Sequence, residues 1–90
     1  MTTAPDWGPW KASIDAAERM ARCRVLAALV HTLARPRGLA LETALYAAAA
    51  GNDEALEDAA THLRSLPPLM ARHVIAAFAA TALAAARARS

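Results

Sequence analysis

The sequence predicts an all-α protein, either a small four-helix bundle or an orthogonal helical array, preceded by an irregular N-terminal arm. Alanine, which has the highest intrinsic helix propensity, fills 27 of the 90 positions. Apolar residues recur at spacings of three and four along four segments, and Pro or Gly stands between these segments. No stretch has the apolar and polar alternation that is typical of a half-buried strand.

Residues 1–10 form the predicted arm, which is expected to be flexible or to dock on a partner, and residues 11–90 form a single helical domain. Pro5, Gly8 and Pro9 interrupt the arm, which shows no periodicity. Both tryptophans of the chain, Trp7 and Trp10, lie within it. Two interpretations are open. The indole rings fold back to cover a core that is short of large side chains, or they anchor the arm on a partner.

The first helix is expected at about residues 12–34, and the following Pro36 and Gly38 end it. One narrow stripe of mostly small side chains runs along it: Ile14, Ala17, Ala21, Val25 and Ala28. The opposite sector is polar in the first half and becomes apolar beyond Arg24, with Leu26, Leu29, Val30 and Leu33. The second half of this helix is therefore either central in the bundle or part of an oligomer seam.

Three further helices are expected at about residues 39–50, 53–65 and 68–87. Gly51 is the expected left-handed residue after the second helix, Asn52 the N-cap of the third, and Pro68 a first-turn residue of the fourth. The predicted apolar faces of these three helices consist, in order, of Leu41, Ala44, Leu45 and Ala48; of Leu56, Ala59, Ala60 and Leu63; and of Met70, Val74, Phe78, Ala82 and Ala85.

The core should be thin, because buried apolar surface contributes about 25 cal/mol per Å² and an alanine buries far less surface than a leucine. Self-association would help such a chain. The leading interpretation is a non-enzymatic helical protein–protein interaction module, such as a small subunit, adaptor or regulator, that forms homo-oligomers. The candidate partner-binding residues are Trp7, Trp10, Leu26, Leu29, Val30, Leu33 and Phe78.

Charges are separated along the chain. Residues 11–37 carry six basic and two acidic groups, residues 42–58 carry five acidic groups and no basic one, and residues 64–89 carry four basic groups and no acidic one. The segments either neutralise one another across the bundle or present a basic surface. The alternative function is therefore a nucleic-acid-associated regulator that binds through the arginine-bearing first and last helices, including Arg19, Arg22, Arg24, Arg35 and Arg37.

Residues 46–58, YAAAAGNDEALED, have the outline of a DNA-reading helix-turn-helix. The second helix of this hairpin, however, opens with Asp53, Glu54, Glu57 and Asp58, which would repel a phosphate backbone. The stretch GNDEALEDAATHLRSLPP also resembles one tetratricopeptide-type hairpin, but no second copy occurs at that period. The segment therefore indicates an αα-hairpin and opposes DNA binding on this face.

No cofactor or metal site is expected. Cys23, His31, His62 and His73 show no i, i+3 or i+4 pairing and no Cys-x-x-Cys motif, and Cys23 is best interpreted as a small buried hydrophobe. A catalytic pair of Glu18 with His31, or of Glu42 with His73, stays open, although no spacing favours either. The three glycines are isolated, so no phosphate-binding loop is predicted, and we expect no enzyme activity.

A cytoplasmic location is expected, because a single cysteine demands no oxidising compartment and the N-terminus has no pattern of a signal peptide. The longest weakly polar run, residues 74–86, has thirteen residues, and a bilayer-spanning helix needs about 20. No membrane-spanning segment is therefore predicted.

Overall fold

The computed structural model describes residues 5–88, which form helices joined by short turns and contain no strand. The four helices are α1 (Ala16–Leu33), α2 (Leu39–Ala49), α3 (Asp53–Arg64) and α4 (Pro68–Ala88), and a short 3-10 helix (Gly8–Trp10) precedes them. The predicted all-α fold class is confirmed. The parts of the predicted arm and domain at residues 1–4 and 89–90 lie outside the described residues.

The first helix begins four residues later than the predicted start at residue 12. Asp15 is its N-cap, and the Asp15 carboxylate accepts a hydrogen bond of 2.8 Å from the Glu18 backbone N–H. An aspartate that satisfies a free N–H of the first turn stabilises a helix start at that position. The other predicted helix ends agree with the structure to within one residue.

The predicted stripe of α1 does not face the core. Val25 is 39% exposed and Ala28 is exposed, whereas the buried face consists of Cys23, Leu26, Ala27 and Val30. Apolar residues lie on several sides of this helix, so their spacing alone does not identify the side on which α2 packs. The prediction that the second half of α1 is central is consistent with its contacts, because α1 packs against both α2 and α4.

Helices α2 and α3 form the expected αα-hairpin. Gly51 adopts a φ of +104°, in the left-handed region that favours glycine. The Asn52 side chain caps α3 by accepting a hydrogen bond of 3.2 Å from the Ala55 backbone N–H. The predicted face of α2 is buried, and so are Ala59, Ala60 and Leu63 of α3.

Packing is uneven among the four helices. Helix α1 contacts α2 extensively, α2 contacts α3 extensively, and α4 makes its main helix contacts with α1. The largest fully buried aliphatic side chains are Leu26, Leu41, Leu45, Val30 and Val74. The core therefore lies among α1, α2 and α3, and α4 is attached to one side of it through Val74 and Phe78.

Candidate functional site

Helix α4 is the least covered element of the structure. Val74 and Phe78 are the only buried residues among its 21, and every residue from 79 to 88 is exposed. The predicted apolar face continues past Phe78 to Ala82 and Ala85, but these two side chains have no core to pack against. The second half of α4 therefore extends beyond the core as an apolar helix.

A groove of about 700 Å³ lies between this exposed half of α4 and the first half of α1, and we call it the α1–α4 groove. The α1 wall consists of Glu18, Ala21, Arg22 and Val25, and the α4 wall consists of Ile75, Phe78, Ala79, Thr81, Ala82, Ala85 and Ala86. Three residues of the N-terminal arm, Asp6, Trp7 and Gly8, and the following Lys11 also line the groove. Small side chains dominate the α4 wall, which allows another helix to approach closely.

The tryptophans fold back onto the protein, as the first of the two interpretations predicts. The Trp7 ring lies edge-on to the Phe78 ring at 5.6 Å between centroids, and edge-on to the Trp10 ring at 5.2 Å. The Trp10 indole N–H donates a hydrogen bond of 2.9 Å to the Leu56 carbonyl. Trp7 and Trp10 are both half-buried against the core, so they add the bulk that the helices lack.

Gly8 makes this close approach possible. Its φ is +53°, which L side chains rarely adopt, and a Cβ at this position would lie 3.1 Å from a ring carbon of Phe78. A larger residue would therefore be strained in its backbone and would push the arm away from Phe78.

Two of the arginines assigned to a nucleic-acid surface hold the arm instead. Arg19 donates hydrogen bonds from Nη1 to the carbonyls of Pro9 (2.8 Å) and Lys11 (3.0 Å), and from Nη2 to that of Ile14 (3.2 Å). Arg22 donates to the Gly8 carbonyl at 3.2 Å and forms an ion pair with Glu18 at 2.9 Å. Their guanidinium groups are thus engaged within the chain.

A third arginine belongs to a cluster around the buried carboxylate of Glu42. Arg35 Nε lies 3.1 Å from Glu42 Oε1, and His31 Nδ1 lies 3.1 Å from Glu42 Oε2. The hydrogen bond from Arg35 lowers the pKa of the Glu42 carboxyl below its usual value, burial opposes this effect, and the hydrogen bond from His31 adds to it. The cluster joins the end of α1 and the following loop to α2.

Of the five arginines assigned to a nucleic-acid surface, only Arg24 and Arg37 are exposed without a hydrogen bond or ion pair in the part of the chain that the structure describes.

The Glu42 cluster differs from both catalytic pairs that the sequence left open. Glu18 bonds to Arg22 rather than to His31, and Glu42 bonds to His31 rather than to His73. Glu42 does not line the α1–α4 groove, and both of its carboxylate oxygens are engaged by Arg35 and His31, which is the geometry of an ion-pair cluster.

The predicted partner-binding residues occupy three kinds of environment. Leu26, Val30 and Phe78 are core residues, with 0%, 0% and 7% of their surface exposed, and no partner reaches the first two in this fold. Leu29 is partly buried against the core, and Leu33 is 44% exposed. The sector proposed as an oligomer seam is therefore mostly interior, and the exposed apolar surface lies instead on α4.

Cys23 is buried, as expected for a small hydrophobe, and burial raises the pKa of its thiol even though Arg19 and Arg24 oppose the shift. Within residues 5–88, no three His, Cys, Asp or Glu side chains are grouped so that they could hold a metal ion.

The acidic residues of the first two turns of α3 form no ion pair with the basic segments in the described range. The three ion pairs in the described range join Glu18 to Arg22 and Glu42 to His31 and Arg35, and none includes Asp53, Glu54, Glu57 or Asp58. Within the described residues, the ion pairs that join the differently charged segments are therefore those of Glu42 with Arg35, in the loop after α1, and with His31 of α1.

The length argument against a membrane span does not hold for α4. Residues 74–86 are only part of this helix, which has 21 residues and includes an 18-residue window with a mean hydropathy of 1.6. By length and composition α4 could cross a membrane, although Val74 and Phe78 attach it to the core.

Sequence reasoning missed the groove and the long-range hydrogen bonds of Arg19, Trp10 and His31. A signal for the groove exists, because residues 79–88 include Leu83 as their only large apolar side chain. A helix with this composition has little to bury against its own core. Comparisons with protein families, with curated proteins and with solved structures give no significant match to this chain.

Proposed function

We propose that this chain is a non-enzymatic, self-associating helical interaction module and that the α1–α4 groove is its binding surface. The observation that carries the proposal is the exposure of α4 beyond Phe78, next to an apolar groove that this helix itself borders. Exposed apolar patches of this kind favour association, because a partner removes them from water.

The spacing of the α4 residues at the groove supports a helix as the occupant. Ile75, Ala79, Ala82 and Ala86 follow one another at intervals of four, three and four, which is the pattern of a seam between two packed helices. Alanines at such positions let the two helix axes approach to the short end of the usual range, about 8 Å.

The charges of the groove favour a second copy of the chain as that occupant. Asp6 and Glu18 balance Lys11 and Arg22 along the groove, so it prefers neither an acidic nor a basic helix. Residues 74–86 of α4 form a helical stretch without any charged residue. The same chain therefore supplies both a neutral groove and an uncovered neutral helix that suits it.

The nucleic-acid alternative has weaker support, because Arg19, Arg22 and Arg35 are engaged with carbonyl or carboxylate groups of the chain itself. Binding phosphates would require these arginines to exchange existing hydrogen bonds for new ones. The proposal also includes no membrane role. Insertion of α4 would remove Val74 and Phe78 from the core.

The test compares two alanine-to-glutamate variants of α4 by sedimentation velocity over a range of protein concentrations. Ala82 lines the groove, whereas Ala80 is exposed and lies roughly 160° around the helix. We expect the unmodified chain and Ala80→Glu to dimerise, and we expect Ala82→Glu to stay monomeric because its carboxylate would be buried in the interface. A monomeric unmodified chain, or equal dimerisation of both variants, would contradict the proposal.

A further inference from the structure

We infer that two copies of the chain pair through their α4 helices, and that each α4 stays attached to its own core. The exposed half of each α4 lies antiparallel to the other and enters the α1–α4 groove of the partner. This inference rests on the proposed function and adds the arrangement of the two chains. The result is an intermolecular four-helix bundle made of two α1 and two α4 helices.

Symmetry is the first argument. Helix α4 lines the groove and is itself exposed beyond Phe78. One contact between two α4 helices therefore buries the exposed half of α4 in both chains. Such a contact is isologous, and a two-fold axis closes it without leaving an open end that would recruit a third copy.

The position of the core is the second argument, and it decides the direction. The core adjoins the first half of α4, through Val74 and Phe78, while residues 79–88 extend away from it. If the exposed halves overlap in antiparallel orientation, the two cores lie at opposite ends of the helix pair. In a parallel pair, both cores would lie at the same end and compete for the same space beside the groove.

The register follows from the stripe that borders the groove. Antiparallel overlap of Ile75, Ala79, Ala82 and Ala86 with the same four residues of the second copy places Ile75 opposite Ala86 and Ala79 opposite Ala82. Residues 75 of the two copies would then be separated along the helix axis by eleven residues, or roughly 16 Å.

Disulfide trapping tests this register, because two cysteines whose Cα atoms are more than about 7 Å apart cannot form a disulfide without backbone movement. The background is Cys23→Ala, which removes the only native thiol. The single variants Ile75→Cys and Ala86→Cys are prepared with tags of different mass, mixed, and oxidised under mild conditions. Ala80→Cys, outside the groove, is the control for random collision, and circular dichroism checks that every variant is helical.

The expected result is a mixed disulfide between the Ile75→Cys and Ala86→Cys chains, with each variant alone and Ala80→Cys giving only background. Disulfides between identical variants would show a parallel pair and overturn the inference. A dimer that persists with no trapped disulfide would also overturn it, while leaving the proposed function standing. A chain that stays monomeric at every concentration would contradict both the inferred arrangement and the proposed function.

Discussion

Helices α2 and α4 are both rich in alanine, but they differ in how much of their surface is buried. Five of the 11 residues of α2 are buried, against two of the 21 residues of α4. Helix α2 lies between α1 and α3 and directs Leu41 and Leu45 into the core, whereas the groove side of α4 beyond Phe78 carries one threonine and otherwise only alanines: Ala79, Thr81, Ala82, Ala85 and Ala86. Alanine thus specifies a helix, and large side chains decide whether that helix is covered.

The N-terminal arm also shows that large side chains decide which part of a helix is covered. Trp7 packs edge-on against Phe78, the last buried residue of α4, and both side chains line the groove. Because Arg19 and Arg22 hold the arm through backbone carbonyls, the arm completes the core on the side where the helices alone are too thin. The protein is therefore well packed up to Phe78 and open beyond it.

The largest expected effect contrasts a buried leucine with an exposed one. Leu26→Ala should lower the free energy of unfolding by about 2–5 kcal/mol, because Leu26 is fully buried in the core and its truncation leaves a cavity there. Leu83→Ala on α4, where the leucine is 54% exposed, should change it by less than about 0.5 kcal/mol. Urea unfolding at a concentration where the chain is monomeric measures both values. Equal losses would mean that α4 is covered within the monomer.

An intermediate effect is expected in the arm. Trp10→Phe removes the hydrogen bond from the indole N–H to the Leu56 carbonyl and should destabilise the fold by about 1 kcal/mol. Trp7→Phe is the matched control, because within residues 5–88 no hydrogen bond of the Trp7 indole is found and its ring contacts survive in part. If thermal unfolding places Trp7→Phe below Trp10→Phe in stability, the hydrogen bond is not what fixes the arm.

The smallest expected effect involves Glu42, because its partners Arg35 and His31 are half-exposed and water screens their charges. The folded state lowers the pKa of Glu42, so its stabilising contribution is present above the usual glutamate pKa of 4.5. That contribution is lost as the pH falls from this value through the lower pKa of the folded state. Glu42→Gln should therefore be less stable than the unmodified chain at pH 7, and the two should converge at low pH.

Glu57→Gln on α3 is the control for this pH profile, since Glu57 is exposed and forms no ion pair in the described range. Its melting temperature should follow that of the unmodified chain at every pH. A Glu42→Gln profile that runs parallel to the unmodified one down to pH 2 would show that the ionised Glu42 carboxylate does not stabilise the fold through Arg35 and His31.

The sequence predicted the α2–α3 hairpin almost completely, because local chemistry determines it: Gly51 ends one helix, Asn52 caps the next, and the apolar faces are well defined. It did not identify the buried side of α1, where apolar residues occur on several sides of the helix. The groove depends on how far α4 diverges from α1, and local spacing carries no information about that distance. The bonds of Arg19 and Glu42 join segments that only the tertiary fold brings together.

The most direct test of the central claim is hydrogen exchange of the α4 backbone amides at several protein concentrations. The account predicts that residues 79–88 are weakly protected in the monomer and become protected as a second copy covers them at higher concentration, while the amides of α2 are already slow to exchange in the monomer. Protection in residues 79–88 that is independent of concentration, whether low or high, would contradict the claim that this half of α4 is exposed in the monomer and covered by a second copy.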